Sequence, residues 1–221
     1  MPEATLHLGD WRDILPTLDT ARIAAVVSDP PYGMKWDTDC GRFSGGSKSH
    51  RTKRGQPGGR DWMAPIAGDA EPIDPAPWLG FPKVVLWGAN HYAARLPVGT
   101  TLVWVKRNDA AYGSFLSDAE IGWMKGGQGV YLHKDLSMNG LAKSRAHPAQ
   151  KPVGLMRWCI ERLKLPPGST ILDPYMGSGT TGVAAAELGH DFIGIEVKPA
   201  HFATAERRIA AASAPTARET A

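Results

Sequence analysis

Apolar residues in this chain come in short blocks, and most blocks end at a charged or turn-forming residue. Ile23-Ala24-Ala25-Val26-Val27-Ser28 is mostly apolar and is cut off by Asp29-Pro30-Pro31. A run of that length and composition predicts a strand buried on both faces of a parallel sheet. Lys83 to Gly88, Thr100 to Val105, Ser169 to Asp173 and Phe192 to Glu196 also read as strands, whereas Thr5 to Leu8 is a short alternating stretch and Ala119 to Met124 a weaker strand. Between them lie segments with helical character. Asp10 can cap a short helix over Trp11 to Leu18, and Asn90 to Leu96 reads as another. From Val153 to Leu165 the residues Leu155, Met156, Cys159, Ile160 and Leu163 fall on one helical face. Small residues run from Thr180 to Leu188 and stop at Gly189, a helix end of the usual glycine type. A last helix over Pro199 to Ala212 is apolar at Phe202, Ala205 and Ile209, and the tail after Ser213 is expected to fray. Strands alternating with helices predict an α/β fold with a mostly parallel sheet.

Two stretches break the pattern. Residues 33 to 80 are rich in Gly, Pro, Ser and charge and hold neither period. A structureless loop of that length is unusual, so the segment reads as an insertion or a long functional loop. Residues 126 to 150 also read as irregular, with Gly126-Gly127 at the start and His147-Pro148 near the end.

Composition narrows the classes. The 221 residues suit one domain, placed here at 1–215. No apolar run approaches the roughly 20 residues a bilayer needs, and the N-terminus lacks an apolar signal core, so no membrane and a cytoplasmic location are expected. Cys40 and Cys159 form no Cys-x-x-Cys pair, so neither a zinc site nor any other metal is expected. Cys159, on the helix face, reads as core. The net charge of +3 is mild, but its distribution is uneven. Arg42, Lys48, Arg51, Lys53, Arg54 and Arg60 lie within 20 residues that hold no acid. Such a run is either a solvated loop or one that contacts phosphates.

The candidate chemistry lies at strand ends. Ile171-Leu172-Asp173-Pro174-Tyr175-Met176-Gly177-Ser178-Gly179-Thr180-Thr181 gives a strand, a glycine-rich turn and a helix start. That shape alone would suit a phosphate. However, the turn lacks the Gly-Lys-Ser/Thr ending of a phosphate loop, and Asp173 would repel a phosphate while suiting a cationic amine or sulfonium. Glu196 ends the next strand, where an acid of a Rossmann-like unit accepts hydrogen bonds from ribose hydroxyls. Asp29-Pro30-Pro31-Tyr32 is a rigid corner that presents a carboxylate, a carbonyl and an aromatic ring. An exocyclic amino group is a poor nucleophile because its lone pair is delocalised. If Asp29 and the Pro30 carbonyl accept its two hydrogens, the nitrogen becomes pyramidal and the lone pair is freed. Tyr32 would stack on a base taken out of the helix. Methylation at cytosine C5 would need a cysteine nucleophile, for which neither Cys40 nor Cys159 stands in a suitable context.

These pieces, in this order, resemble the β-class of DNA amino-methyltransferases, the N6-adenine/N4-cytosine DNA methylases. The matching segments are Leu8-Gly9-Asp10, Ser28 to Tyr32, His147 to Pro152, Asp173 to Thr181 and Ile193-Gly194-Ile195-Glu196. The resemblance implies a Rossmann-like, S-adenosylmethionine-dependent fold with a mostly parallel seven-stranded sheet and a circularly permuted motif order. It implies catalysis at Asp29, Pro30, Pro31 and Tyr32. For cofactor binding it implies Asp10 at the adenine, Lys151 by the methionine end, and Asp173, Pro174, Tyr175, Gly177, Ser178, Gly179, Thr180 and Glu196. Lys151 also reads simply as a surface lysine beside a helix. Double-stranded DNA is the implied partner; a homodimer is compatible, and no restriction enzyme partner is identified. Aspartate rather than serine before Pro-Pro-Tyr tilts the expectation to adenine N6 over cytosine N4. RNA or protein amide methyltransferases usually show asparagine there, and a silent DNA-binding protein would not need all four of Asp29, Tyr32, Asp173 and Glu196. In one respect the chain departs from the family: residues 126 to 150 are short for a target-recognition region. Either the basic 33–80 segment reads DNA, or the target site is short or degenerate.

Overall fold

The computed structural model describes residues 2–35, 68–71, 73–113, 117–137 and 150–214. Among the described residues, seven strands form one sheet: β1 (Ala4–Leu8), β2 (Ile23–Ser28), β3 (Lys83–Trp87), β4 (Gly99–Val105), β5 (Ala119–Lys134), β6 (Thr170–Asp173) and β7 (Asp191–Glu196). The helices are α1 (Trp11–Ile14), α2 (Ala76–Leu79), α3 (Val153–Leu163), α4 (Thr180–Glu187) and α5 (Pro199–Ser213). The strand order is β1-β7-β6-β2-β3-β5-β4. The pairs β1–β7, β7–β6, β6–β2 and β2–β3 are parallel, and β5 runs antiparallel to β3.

The sheet is buried on both faces because its central strands carry apolar residues at successive positions. Val85 and Trp87 of β3 pack on one side with Leu155, Cys159 and Ile160 of α3, Ala184 of α4 and Ile209 of α5. Val84 and Leu86 pack on the other with Trp78 of α2, Phe81 and Ile73. In β2 the register against β6 shifts between Ile23 and Ala25, and Ile23 shares a face with Val26 rather than with Ala25. A fully buried Leu, Val or Phe contributes about 1.5–3 kcal/mol, so these two layers hold the strand ends that carry the chemistry.

Three expectations are corrected. Residues 126–134 are not irregular but form the second half of β5. This half follows the positive-φ pair Gly126 and Gly127 and pairs along the other side of β4, with Thr101 opposite both Trp123 and Val130. The helix over 11–18 ends at Ile14 and tightens to a 3₁₀ turn at Leu15–Thr17, where Pro16 cannot continue the α-helical bonding. Residues 90–96 form two 3₁₀ turns, Ala89–His91 and Ala93–Arg95, rather than one helix. Within the 33–80 segment, α2 adds a short helix whose Trp78 is fully buried. The basic run Arg42 to Arg60 and Cys40 lie outside the described residues. Cys159 is core as expected, and burial pushes its thiol up to about 12. No helix among the described residues is long and apolar enough to cross a membrane.

Candidate active site

The chain leaves β6 toward β7 on one side, while β2 leads to β3 on the other. The β6–β2 junction is therefore a topological switch point, where the strand ends of an open α/β sheet leave a crevice. Four acids stand at or just past the carboxyl ends of adjacent strands there: Asp10 after β1, Glu196 at the end of β7, Asp173 at the end of β6, and Asp29 after β2. Ser28 Oγ donates to Asp173 Oδ1 at 2.6 Å and ties the two sides of the junction together.

Asp173 is 2 % exposed and saturated. Besides Ser28, Thr181 Oγ1 donates to it at 2.6 Å and the Tyr175 amide at 3.1 Å. Burial pushes its carboxyl up to about 6, against those hydrogen bonds, which pull it down. Asp173 thus shapes the turn. Gly179 takes a φ of +79°, and a Cβ there would meet Ala205 Cβ at 2.8 Å, so the turn lies directly on α5. Arg208 on α5 donates to the Ser178 carbonyl at 2.5 Å and approaches Thr180 Oγ1 at 3.3 Å. Gly177, in contrast, has no heavy atom within 4 Å of the place a Cβ would take.

Glu196 accepts from the Gly177 amide at 3.0 Å and from the Lys198 amide at 2.8 Å. Burial raises its carboxyl, yet the His201 ring and these amides leave it below the usual carboxylate range, so it is an anion. Asp10 lies one strand over. Its Oδ1 caps α1 through the Arg12 amide at 2.9 Å, and its Oδ2 is 3.3 Å from the Arg12 guanidinium. Trp11 and Tyr175 extend toward Trp78 in an edge-on aromatic cluster, with Trp11 and Trp78 centroids 4.7 Å apart.

Across the junction, both oxygens of Asp29 are taken. The Tyr32 hydroxyl donates to Oδ1, and the Lys151 ammonium donates to Oδ2 at 2.5 Å. Lys151 Nζ also lies 3.2 Å from the Tyr32 hydroxyl and 3.0 Å from Glu120 Oε2. Lys151, expected by the methionine end of the cofactor, is 6 % exposed and meets the Asp29-Pro30-Pro31-Tyr32 corner. Burial disfavours its charge, but Asp29 and Glu120 outweigh that and hold it well above the ordinary lysine value, so it is an ammonium. Burial raises the Asp29 carboxyl, Lys151 draws it back, and Glu120 raises it further; the net direction is up.

The corner is held from behind. Asp69 accepts from the Gly33 and Met34 amides at 2.8 and 3.2 Å and fixes the chain that leaves Tyr32. The His91 ring stacks on Tyr32, centroids 4.9 Å apart and planes 13° apart. Gly88 has a φ of +74°, and a Cβ there would sit 2.0 Å from Tyr32 Cε1, so only glycine lets the tyrosine ring lie against β3's end. Sequence reasoning did not find Glu120, Asp69 or His91. None lies in a recognisable pattern, and each meets the corner only through the fold.

Known proteins resemble this chain in sequence and in fold. Residues 103–207 match the N6/N4 methyltransferase family model, described as DNA methylase. YubD of Escherichia coli (strain K12), whose name describes it as a methylase, is 28 % identical over 207 residues, covering 92 % of this chain and 88 % of that protein. The type II methyltransferase M2.DpnII of Streptococcus pneumoniae is 33 % identical over 119 residues, 50 % of this chain and 42 % of that protein. The solved complex of M1.HpyAVI with SAM superposes with a TM-score of 0.57 at 21 % identity, covering 93 % of this chain and 99 % of that one, and so shares the fold. The chain is thus similar to the N6-adenine/N4-cytosine family of DNA amino-methyltransferases, with the family pattern carried by residues 103–207.

Proposed function

We propose that this chain methylates the N6 amino group of adenine in double-stranded DNA, with S-adenosylmethionine as methyl donor and Asp29 as the acceptor that readies the amino nitrogen. One observation carries most of this reading. A tetrahedral, positively charged nitrogen, the Lys151 ammonium, is already bound at Asp29 Oδ2 at 2.5 Å. An amino nitrogen under methylation becomes tetrahedral and positive, so the corner is built for that charge and shape. The aspartate at position 29, rather than serine, supports adenine over cytosine.

The cofactor's needs fit the residues present. Open space beside Gly177, the adjoining Glu196 anion, and Asp10 one strand over offer a cradle, a ribose acceptor and an adenine contact. When bound, S-adenosylmethionine supplies a methyl group on a sulfonium, which the amino nitrogen takes as the carbon–sulfur bond breaks. Asp173, saturated by its own donors, acts by holding the turn with Pro174, Tyr175, Ser178, Gly179 and Thr180. Asp29 must be ionised to accept a hydrogen from the amino group. The groups facing it are Lys151, Glu120 and Tyr32. The turnover rate should therefore fall on acidification, as the raised Asp29 carboxyl takes up a proton. Lys151 holds that carboxyl down, so Lys151→Gln should move the acid limb of the pH–rate profile to higher pH; a limb that stayed put would contradict this coupling.

The target site is proposed to be short or degenerate, because β5 claims residues up to Lys134 and leaves little chain before Gln150 for a recognition region. Expression in a bacterial host without DNA methylation, followed by sequencing that detects modified bases, tests both points. Methylated adenines in a short, relaxed context are expected. Modified cytosines alone would refute the adenine reading, and a single long motif would refute relaxed recognition.

A further inference from the structure

Glu120 is a half-buried carboxylate, its side chain 26 % exposed, that the chemistry above does not use. It lies on β5 opposite Trp104 of β4. Its Oε1 is 2.8 Å from Lys106 Nζ and its Oε2 is 3.0 Å from Lys151 Nζ. Lys151 in turn reaches Asp29. Lys106, Glu120, Lys151 and Asp29 thus alternate in sign across four segments of the chain. Burial pushes the Glu120 carboxyl up, but the Lys151 and Lys106 ammoniums outweigh it and hold it at about 2. Taking Lys151 and Asp29, 7 and 17 % exposed, out of water is costly, and apolar side chains would pack the same volume at least as well. Fold stability alone therefore does not account for it.

The arrangement answers a difficulty in the reaction. The amino group of the target needs an Asp29 oxygen, and Lys151 and Tyr32 hold both. An ammonium cannot leave a carboxylate inside a closed site without another anion to receive it. It would also repel the positive charge that grows on the nitrogen being methylated if it stayed at Asp29. A second anion is already within ion-pair distance of the same Nζ.

We propose that Glu120 is a positioning residue that receives the Lys151 ammonium when the target amino group moves onto Asp29. The inference rests on the reading of Asp29 as the amino acceptor. Lys106 keeps Glu120 ionised and oriented for the exchange. The lysine then stays in the site with its charge paired, and Asp29 is free for the base. Glu120 acts through Lys151 and does not itself touch the substrate.

A double-mutant cycle with Glu120→Gln and Lys151→Gln tests this, read as single-turnover transfer of labelled methyl from S-adenosylmethionine to unmethylated plasmid DNA. Glu120→Gln keeps the shape and removes the charge, so Lys151 stays on Asp29. The transfer rate should fall by about 30-fold or more. Affinity for S-adenosylmethionine, measured by calorimetry, should stay within about threefold of wild type. In the Lys151→Gln background the same substitution should change the rate by less than about threefold, because the group it acts through is gone. An equal loss in both backgrounds would overturn the proposal. So would a Glu120→Gln rate within about threefold of wild type, a result that decides the matter even if the lysine variant fails to fold. A wild-type chain that transfers no methyl to any DNA would instead overturn the reading of Asp29, and this inference with it.

Discussion

Asp29→Ala is expected to lower methyl transfer to DNA on the order of 10³-fold while the protein still folds and still binds S-adenosylmethionine. Transfer should collapse because the amino nitrogen loses the acceptor that makes it pyramidal. Folding should survive because Lys151 keeps Glu120 at 3.0 Å, and the one donor left without its acceptor, the Tyr32 hydroxyl, costs only about 1–3 kcal/mol while its oxygen still accepts from Lys151 Nζ at 3.2 Å. Cofactor binding should survive because Gly177 and Glu196 are fixed by β6, β7 and α5, across the junction from the corner. Calorimetry with S-adenosylmethionine, beside a labelled-methyl assay, separates the two effects. Transfer at a near wild-type rate would remove Asp29 from the chemistry, and a lost cofactor signal would make it a structural residue.

Asp173→Ala should be the most damaging change to stability in the site. It strands three donors at once: the Ser28 and Thr181 hydroxyls and the Tyr175 amide. An unsatisfied buried donor costs about 1–3 kcal/mol. Part of that is offset, because the buried anion is itself unfavourable, so a net loss of about 3 kcal/mol is expected. The pH dependence follows from the carboxyl's being raised to about 6 in the folded chain, above its ordinary value of 3.8. A raised carboxyl favours folding fully below its unfolded value, and that contribution is lost as pH rises through about 6. The gap in melting temperature between wild type and Asp173→Ala should therefore be widest near pH 4 and narrow toward pH 7. Melting curves across that range check the sign; a gap that widened with pH would contradict it. Cofactor binding should be lost with the turn, since Asp173 spans β2 and α4 through Ser28 and Thr181.

The strand-end acids were legible in the sequence for a physical reason. A strand buried on both faces must be apolar without interruption, so the residue that ends it stands out, as Asp29, Asp173 and Glu196 do. The glycine-rich turn was legible because its positive φ at Gly177 and Gly179 demands that residue. The second half of β5 was not legible. Gly126-Gly127-Gln128-Gly129 reads as a loop, and Val130, Tyr131 and Leu132 are largely exposed, so no burial pattern marks them. The free edge of β4 supplies the pairing, which is tertiary information. Glu120 was hidden for the same reason: Ala119-Glu120-Ile121 looks like any weak strand, and its partners lie 14 and 31 positions away. Lys151 was found, but its neighbour was not. A lysine's long stem can reach either side of the crevice, and only the fold shows it meeting Asp29.

That Asp29-Pro30-Pro31-Tyr32 directs methylation to the amino group of adenine is tested most directly by identifying the product. The purified chain would be incubated with labelled S-adenosylmethionine and unmethylated plasmid DNA, and the DNA digested to nucleosides for mass spectrometry. Label confined to N6-methyladenine is the predicted result; label in N4-methylcytosine alone, or in no nucleoside at all, would contradict it.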